Sequence, residues 1–486
     1  MKNVAFHNLG CKVNSYEMDF VQQILREKGY NVVAFWEKAD IYIINTCTVT
    51  NIADRKSRQM LHRARAMNPD AVVVAMGCYV QTGQEEALKD ACIDLAIGNN
   101  RKKDIVRILE GYLEERDRRQ KGLQQEEASR DKTPQDKVFQ DNPTQDKVFQ
   151  DKTLGGSTVI DIGHTYEYEE MQLKKTAEHT RAYIKIQDGC NQFCSYCIIP
   201  YARGRVRSRR REDILREIRG MIEAGYREVV LTGIHISSYG IDLAEGEQVS
   251  RGDYRGHSGL IELVEELQRL EGLARIRLGS LEPRIVTEEF ASRLAACDKV
   301  CPHFHLSLQS GCDATLKRMN RHYTTGEYFR SVEQLRRAFE HPAITTDVIV
   351  GFPGETEEEF EVCRQFLEQV DFYEMHIFKY SRRRGTVADR MPGQLPDAVK
   401  TKRSALLQQL EKERSRAFRS RYIGQDVEVL FEESKEMDKG LCQVGYTREY
   451  VRVALPMKDS LQGRLERVRI RGYLTDEVLL AEALQL

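Results

Sequence analysis

Short apolar runs alternate with amphipathic stretches along the first 115 residues of the chain. The apolar runs predict buried strands at residues 4–9, 40–45, 71–76 and 94–98. The amphipathic stretches predict helices at residues 15–30, 51–67 and 102–118. Strands that alternate with helices at these intervals along the sequence predict an α/β domain: a doubly wound parallel sheet with helices on both faces.

This alternation stops between residues 116 and 178, where apolar residues are few and Gln, Asp, Lys and Arg are common. Residues 131–140 and 141–150 form two nearly identical ten-residue repeats. A solenoid needs at least about three repeats to bury a core. We therefore expect residues 116–178 to be a low-complexity, disordered linker; a docking role for the Val-Phe pair in each repeat is the alternative.

Strand and helix patterns alternate again between residues 179 and 410. Six strands are predicted, at residues 181–187, 228–232, 275–279, 303–308, 343–350 and 373–379. Amphipathic helices are predicted between them, at residues 211–224, 260–270, 287–296, 328–339 and 357–370. Six such units predict an incomplete (β/α)6 barrel with its active site at the carboxyl ends of the strands.

The end of the chain has a different pattern. Residues 400–421 predict a helix rich in basic side chains. Short alternating segments then predict strands at residues 426–431, 440–445, 450–453, 465–472 and 478–483, which favours a small OB-like β-barrel. The predicted domains are an N-terminal domain at 1–115, the linker at 116–178, the (β/α)6 barrel at 179–410 and the terminal barrel at 420–486.

The composition is that of a protein with substantial cores, because 41% of the 486 residues are hydrophobic and 31% are charged. A net charge of −1 means that contact with a polyanion depends on local basic patches. The first residues do not resemble a signal peptide, and no apolar run reaches the roughly 20 residues of a membrane-spanning helix. We expect a cytoplasmic protein without membrane contact, whose twelve cysteines stay reduced.

Three of these cysteines share one short loop. Cys190, Cys194 and Cys197 follow a C-x3-C-x2-C spacing with no fourth Cys or His at ligand spacing. A structural zinc site normally has four protein ligands, as does an ordinary iron–sulfur cube, so three ligands leave an open coordination position for chemistry. We predict a catalytic cluster here; three buried cysteines, or a zinc knuckle whose last ligand lies elsewhere, are the alternatives.

A second set of three cysteines follows successive predicted strands of the first domain. Cys11, Cys47 and Cys78 each lie just past a strand, and the carboxyl ends of parallel strands meet at one edge of a sheet. Gly10 and Gly77, which precede two of them, allow close backbone approach. We predict a second three-cysteine cluster site; small buried residues that meet by coincidence are the alternative.

The loop spacing, with Tyr196 directly before the last cysteine, resembles the radical S-adenosylmethionine (SAM) signature. In that superfamily the iron without a cysteine ligand chelates SAM, and an electron from the cluster splits SAM into methionine and a 5′-deoxyadenosyl radical. Glycine-rich and polar turns at the other predicted strand ends would form the walls of a SAM-sized site. The predicted cofactor contacts are Tyr196, Gly233, Ser280, Gln309 and Gly351.

Basic residues crowd the same region of the predicted barrel. They include Arg382, Arg383 and Arg384 after the last strand, the basic helix, and, after the cysteine loop, Arg203, Arg205, Arg207, Arg209, Arg210 and Arg211. Such patches predict contact with phosphates and little readout of base sequence. A solvated charged face is the alternative.

Over nearly its whole length the chain resembles the radical SAM methylthiotransferase family, with its three-cysteine N-terminal domain, C-x3-C-x2-C barrel and terminal TRAM domain. The opening Leu9-Gly-Cys-Lys-Val-Asn-Ser-Tyr-Glu17 resembles the branch that acts on N6-threonylcarbamoyladenosine in tRNA. The isopentenyladenosine branch tends to a Gly-Cys-Gln-Met-Asn form at this position. Residues 305–311, 318–323 and 378–386 also fit the family, whereas the linker repeats depart from it.

The resemblance implies an enzyme that adds a methylthio group to C2 of N6-threonylcarbamoyladenosine at position 37 of tRNA. It implies SAM and two [4Fe-4S] clusters. Cys190, Cys194 and Cys197 would hold the catalytic cluster that cleaves SAM, and Cys11, Cys47 and Cys78 the cluster that carries the methylthio group. The partners would be a tRNA anticodon stem-loop, whose target base leaves the stack, an electron donor and a sulfur source.

Two other hypotheses remain open from the sequence. A methylthiotransferase for isopentenyladenosine, or for a ribosomal protein side chain, would share the same cysteines. A non-catalytic RNA-binding module with bound zinc would share the basic patches and would be colourless after purification.

Overall fold

The structure is a computed structural model that describes residues 1–130, 158–176, 180–243 and 258–484. The chain divides into two compact units, Met1–Ile162 with Glu169–Met171, and Gly163–Tyr168 with Gln172–Leu486. The ten-residue repeats at 131–150 lie outside the described residues. Within the described ranges, no helix is both long enough and apolar enough to cross a membrane.

The first unit is built on a five-stranded parallel sheet. Its strands are Asn3–Asn8 (β1), Asn31–Val33 (β2), Ile41–Thr46 (β3), Val72–Gly77 (β4) and Leu95–Ile97 (β5). Its helices are Lys12–Glu27 (α1), Asn51–Met67 (α2), Cys78–Thr82 (α3), Gln84–Lys89 (α4) and Ile105–Arg130 (α5). The predicted α/β fold is confirmed, with β2 as an edge strand that its short, half-exposed sequence did not reveal.

The strand order is β2-β1-β3-β4-β5, so the chain reverses its direction of growth between β1 and β3. Alternate residues of the central strands pack on opposite faces: Tyr42 and Ile44 belong to one apolar cluster, Ile41 and Ile43 to the other. Both faces of the sheet are therefore covered, which explains why its strands read as continuous apolar runs.

The predicted linker differs from the structure at both of its ends. Helix α5 continues to Arg130. After the repeats, Thr158 Oγ1 donates a hydrogen bond to Ala96 O at 2.9 Å, and Tyr16 OH donates one to Met171 O at 2.7 Å. Composition does not reveal these contacts, because they depend on the carbonyl of Ala96 in β5 and the hydroxyl of Tyr16 in α1, which are distant in sequence.

The second unit begins with parallel strands that form an arc. Its strands before the terminal barrel are Ala182–Lys185 (β6), Gln187–Asp188 (β7), Arg207–Ser208 (β8), Glu228–Thr232 (β9), Arg275–Leu278 (β10), His303–His305 (β11), Ala343–Val350 (β12) and Glu374–Lys379 (β13). The arc joins the sheets β6-β9-β10 and β11-β12-β13 through parallel bridges, such as Leu281 with Leu306. Strands β7 and β8 form a separate antiparallel pair. The six-stranded incomplete barrel is thus confirmed.

Helices flank this arc. They are Ile199–Arg203 (α6), Arg211–Glu223 (α7), Gly259–Gln268 (α8), Glu288–Ala295 (α9), Asp313–Arg318 (α10), Thr325–Ala338 (α11), Glu357–Val370 (α12) and Asp397–Ser420 (α13). Helices α11 and α12 begin with capping boxes, in which Thr324 and Thr356 exchange hydrogen bonds with Glu327 and Glu359. These reciprocal bonds satisfy free N–H groups and fix where each helix starts.

The chain ends in a closed antiparallel barrel with one parallel pairing, in the order β14-β15-β16-β18-β17. Its strands are Asp426–Met437 (β14), Gly440–Tyr446 (β15), Arg452–Pro456 (β16), Leu465–Tyr473 (β17) and Leu479–Ala483 (β18). The predicted terminal barrel is confirmed.

A buried ion pair of the arc is tied to this barrel by a hydrogen bond. Arg277 Nε donates to Glu228 Oε1 at 2.7 Å, and Arg277 Nη1 donates to Arg448 O at 2.9 Å. Burial alone would raise the pKa of Glu228, but Arg277 and other guanidinium groups around it leave that pKa lowered. Glu228 is therefore held as a carboxylate within the interface between arc and barrel.

Candidate cluster and cofactor sites

Three strand ends lie level at one edge of the first unit's sheet. Asn8 of β1 pairs with Asn45 of β3, and Thr46 pairs with Gly77 of β4. Cys47 and Cys78 directly follow β3 and β4, and Cys11 lies three residues past the end of β1, as the sequence indicated. The carboxyl edge between β1 and β3 is the switch point of a doubly wound sheet, where such folds bind ligands.

Glycine lets the loops of this edge approach each other closely. A Cβ on Gly10, whose φ is +113°, would lie 3.2 Å from Cys47 Sγ and 2.9 Å from Asn14 Nδ2. Asn14 Nδ2 donates to Leu9 O at 2.6 Å, and Asn45 Nδ2 donates to Asn14 O at 2.9 Å. These two buried asparagines fix the loop that carries Cys11, and the sequence reasoning did not single them out.

The thiols of this first trio have unequal surroundings. Cys11 is exposed, whereas Cys47 and Cys78 are buried. Asn99 Nδ2 donates a hydrogen bond to Cys78 Sγ at 3.5 Å. Burial, with further contributions from the thiols of Cys78 and Cys11, raises the pKa of Cys47 to about 11. The Cys47 thiol thus keeps its proton at neutral pH, and a metal that displaces this proton would convert it to a ligand.

Cys190, Cys194 and Cys197 lie on the loop that follows β7 in the second unit. Gly189, with a φ of +74°, precedes them, and a Cβ there would lie 1.7 Å from Arg205 O. Cys190 N donates to Gly204 O at 3.0 Å, which ties the first cysteine to the segment between α6 and β8. The loop therefore depends on a residue without a side chain at position 189.

The segment after α10 holds this loop from the other side. Ser195 N donates to Met319 O at 3.0 Å, and Ser195 Oγ donates to Arg318 O at 2.8 Å. Asn320 Nδ2 donates to Phe193 O at 3.0 Å. The position of the cysteines is thus fixed by backbone carbonyls and an asparagine side chain more than 120 residues away in sequence.

Arg321, in the same segment, contacts a cysteine directly. Its Nη1 donates to Cys194 Sγ at 3.2 Å, and its Nη2 donates to Ser307 O at 3.3 Å. Burial, with the neighbouring thiol of Cys194, raises the pKa of Cys190 to about 12 and moves that of Cys197 in the same direction. The sequence analysis noted residues 318–323 as fitting the family but gave Arg321 no role in the site, because no local spacing relates it to the cysteine loop.

The chemistry of both trios fits an iron–sulfur cluster better than a single zinc ion. Among the described residues, neither trio has all three sulfurs within 4.8 Å of one another. Thiolates on one zinc ion lie no more than about 4.6 Å apart, because each Zn–S bond is about 2.3 Å long. Cysteine is the usual ligand of iron–sulfur clusters, whose several metal ions accommodate sulfurs that lie farther apart.

The five predicted SAM contacts lie on strand-end loops and on the cysteine loop. A Cβ on Gly233 would lie 2.9 Å from Gln187 O, so this glycine allows the loop after β9 to pack on β7. Gln309, with a φ of +71°, forms an isolated parallel β-bridge with Val348. Ser280 is exposed in the loop after β10. Gly351 packs against Lys400 of α13.

Tyr196 points toward apolar groups. Its ring lies 6.4 Å from the ring of Phe352, and it packs with Met319 and Tyr380. This aromatic side chain therefore anchors the cysteine loop to the barrel as well as lying next to Cys197.

The predicted phosphate-contacting surface is only partly present. Arg203, Arg207 and Arg209 are buried. Arg203 lies 3.3 Å from Asp188, and Arg209 pairs with Glu217, so both act inside the barrel. The prediction of a basic surface was wrong for these residues, because sequence alone did not show that carboxylates from other elements neutralise them.

Several basic side chains of helix α13 likewise make contacts inside the protein. Arg403 and Arg419 are buried, and Arg414 lies 3.1 Å from Asp371. Lys402 and Lys412 of this helix remain exposed. Exposed cations are therefore fewer and more scattered than the sequence predicted.

Comparisons with known proteins agree with this arrangement. Residues 184–367 match the model of the Radical SAM superfamily, which implies SAM and a [4Fe-4S] cluster as cofactors. Residues 3–98 match the model described as Uncharacterized protein family UPF0004. The fold is also similar to a radical SAM methyltransferase, TsrM from Kitasatospora setae, with a TM-score of 0.52 at 15% identity over 78% of this chain and 72% of that one.

Curated relatives match at full length. The chain is 37% identical to the threonylcarbamoyladenosine tRNA methylthiotransferase MtaB of Bacillus subtilis (strain 168), over 98% of this chain and 96% of that protein. It is 34% identical to the tRNA-2-methylthio-N(6)-dimethylallyladenosine synthase of Moorella thermoacetica, over 95% of this chain and 94% of that protein. The chain belongs to the radical SAM methylthiotransferase family.

Proposed function

We propose that the protein adds a methylthio group to C2 of N6-threonylcarbamoyladenosine at position 37 of tRNA. The observation that carries this proposal is the pair of cysteine trios, one just past the carboxyl ends of three parallel strands and the other on the loop that follows β7. The full-length similarity to a threonylcarbamoyladenosine tRNA methylthiotransferase supports the choice of nucleoside. The opening residues 9–17 favour the same branch of the family.

We assign one [4Fe-4S] cluster to each trio, at Cys190, Cys194 and Cys197 and at Cys11, Cys47 and Cys78. The bound cofactors would supply radical chemistry at an aromatic C–H that no side-chain base can deprotonate, together with sulfur and its methyl group. The residues of the chain position and insulate these groups. Gly189 lets the catalytic loop close, and Arg321 places positive charge beside Cys194.

The remaining assignments follow from this function. Tyr196, Gly233, Ser280, Gln309 and Gly351 are proposed as cofactor contacts, because they line the loops around the catalytic trio. Residues 1–115, 179–410 and 420–486 would act as the sulfur-carrying, SAM-cleaving and RNA-binding domains. The partners would be a tRNA anticodon stem-loop, an electron donor and a sulfur source, in the cytoplasm. Exposed Lys402 and Lys412 offer phosphate contacts.

Nucleoside mass spectrometry of tRNA tests this function. We expect a deletion strain to lack 2-methylthio-N6-threonylcarbamoyladenosine and to accumulate the precursor, and the wild-type gene to restore the product. A gene carrying Cys194→Ala should not restore it. Unchanged product in the deletion strain would refute the proposal, and loss of methylthio-isopentenyladenosine instead would assign the chain to the other branch.

The zinc-module alternative is tested on the purified protein. Anaerobic purification should give a brown protein that contains about eight iron atoms, as two cubes require. A colourless protein with stoichiometric zinc would support the non-catalytic module instead.

A further inference from the structure

His305, Asp347 and His376 lie together in the second unit. His305 Nε2 lies 3.3 Å from Asp347 Oδ2, and the two imidazole rings stack with 5.8 Å between their centroids. The three side chains have ligand-type atoms within 4.8 Å of one another. We call these three residues the polar triad.

The polar triad lies on the inner face of the arc. Burial alternates along β11: Phe304 is buried and packs at 4.9 Å against Phe339, at the end of α11, whereas His303 and His305 are partly exposed. Successive side chains of a strand point to opposite faces, so His305 points away from the helices. Asp347 pairs in register with His376, which extends the same face across β12 and β13.

The same face leads to the catalytic cysteines. Ser307 lies two residues beyond His305, about 7 Å further along an extended chain. Ser307 O accepts a hydrogen bond from Arg321 Nη2, and Arg321 Nη1 donates to Cys194 Sγ. The polar triad therefore lies two residues before the point at which Arg321 joins this segment to the cysteine loop.

The hydrogen bonds within the triad determine which groups it can offer. Both ring nitrogens of His305 are engaged, with Asp347 Oδ2 and, at 3.0 Å, with Thr345 Oγ1. His376 is exposed and can present an N–H, and the side chain of Asp347 is 31% exposed and can accept a hydrogen bond. A donor beside an acceptor fits a ligand that carries a carboxylate together with a hydroxyl or N–H group.

We infer that the polar triad recognises the acidic side chain of the modified adenosine, with His376 binding its carboxylate and Asp347 accepting from its hydroxyl or N–H; this inference rests on the proposed function. The substrate carboxylate is assigned to His376, because Asp347 would repel a second carboxylate. An isopentenyl group would offer no hydrogen bond to His376 or to Asp347, and sites built to hydrogen-bond a substrate reject analogues that cannot do so.

The test uses the full-length reconstituted protein and anticodon stem-loops that carry either N6-threonylcarbamoyladenosine or its methyl ester. The wild type should favour the acid over the ester in kcat/KM by about 10- to 100-fold, the range for a hydrogen bond to a charged group. His376→Leu should reduce this ratio to near one and weaken binding of the acid RNA, measured by fluorescence anisotropy. His376→Gln, which keeps an N–H donor, should retain part of the preference.

His303→Leu is the matched control, because His303 lies on the same face two residues earlier and its tilted ring packs 5.1 Å from the ring of Tyr450. It should leave the acid-to-ester ratio unchanged, and cluster content by absorption should be equal in all variants. Asp347→Asn provides a second measurement: it should reduce the preference for the threonyl side chain over a glycyl analogue that lacks the hydroxyl.

The outcomes separate this inference from the proposed function. A His376→Leu protein that keeps the wild-type ratio would overturn the inference and leave the function intact. So would a divalent metal ion that the wild type retains stoichiometrically and His376→Leu loses, because the triad would then be a metal site. A wild type that modifies isopentenyladenosine RNA and not threonylcarbamoyladenosine RNA would refute the function itself.

Discussion

Arg321 donates a hydrogen bond from Nη1 to the sulfur of Cys194, across 3.2 Å and 127 residues of sequence. Its Nε donates to Tyr323 OH at 2.9 Å, and Tyr323 OH in turn donates to Ser307 O at 2.6 Å. A positive charge thus lies directly beside one ligand of the proposed catalytic cluster, on a side chain that a tyrosine holds in place. Charge and hydrogen bonds at the sulfurs are the main means by which a protein adjusts the reduction potential of such a cluster.

Replacing this arginine should make the cluster harder to reduce. Arg321→Met removes the charge and the N–H···S bond, both of which favour the more negative reduced state, so we expect the potential to fall by something on the order of 50 mV. Arg321→Lys keeps the charge and should show a smaller change. Redox titration followed by electron paramagnetic resonance measures both, and an unchanged potential in Arg321→Met would contradict the assigned role.

Substitutions in the two trios should have separable effects. Cys194→Ala should abolish formation of 5′-deoxyadenosine and remove about half of the iron, since each trio is assigned one cube. Cys78→Ala should also remove about half of the iron but leave SAM cleavage in place. Cys92→Ala, at a half-buried cysteine outside both trios, is the control and should change neither quantity. Survival of SAM cleavage in Cys194→Ala would show that the catalytic loop is assigned wrongly.

Glycine at position 189 should be essential for the catalytic loop. Gly189→Ala places a Cβ 1.7 Å from Arg205 O at a φ of +74°, so we expect a loss of at least about 2 kcal/mol in unfolding free energy and poor iron incorporation. Gly220→Ala is the matched control: this glycine is in α7 with no heavy atom within 4 Å of the added Cβ, and it should gain about 0.5–1 kcal/mol. Chemical denaturation and iron analysis measure both, and equal behaviour of the two variants would contradict the structure of the loop.

The buried ion pair in the arc, beside the terminal barrel, should contribute far more to stability than a surface pair. Arg277→Met leaves the carboxylate of Glu228 buried without its 2.7 Å partner, and breaking such a pair costs about 3–5 kcal/mol. Arg293→Met removes a pair with Glu265 at the surface, where about 0–1 kcal/mol is typical. Thermal unfolding of the two variants compares these costs. A similar loss in both would mean that Glu228 is stabilised by groups other than Arg277.

Much of the fold could be predicted from local patterns. The limits of α2 and α12 agree with the amphipathic stretches at 51–67 and 357–370, because apolar periodicity and end residues directly determine where such helices form. The three-residue strand β2 was missed, since an edge strand with exposed side chains leaves no apolar run. Helix α5 was predicted to end near residue 118 and extends to Arg130.

The candidate sites were likewise predictable in part from the sequence. The spacing of Cys190, Cys194 and Cys197 along the chain predicted one cluster site. The position of Cys11, Cys47 and Cys78 just after apolar runs predicted a second. The buried arginines show the limit of such reasoning. Arg203 and Arg209 look like surface cations in sequence, and only the carboxylates of Asp188 and Glu217 show that they are internal.

Residue type and short-range periodicity were enough to predict most of the strands and helices in their order, both sets of thiols and the resemblance to the family. The folded chain was needed to show which charges are paired, that Arg321 lies against Cys194, and that His305, Asp347 and His376 share one inner face. These relationships join residues that are tens to hundreds of positions apart. They exist because parallel strands bring their ends and faces together, whatever the length of chain between them.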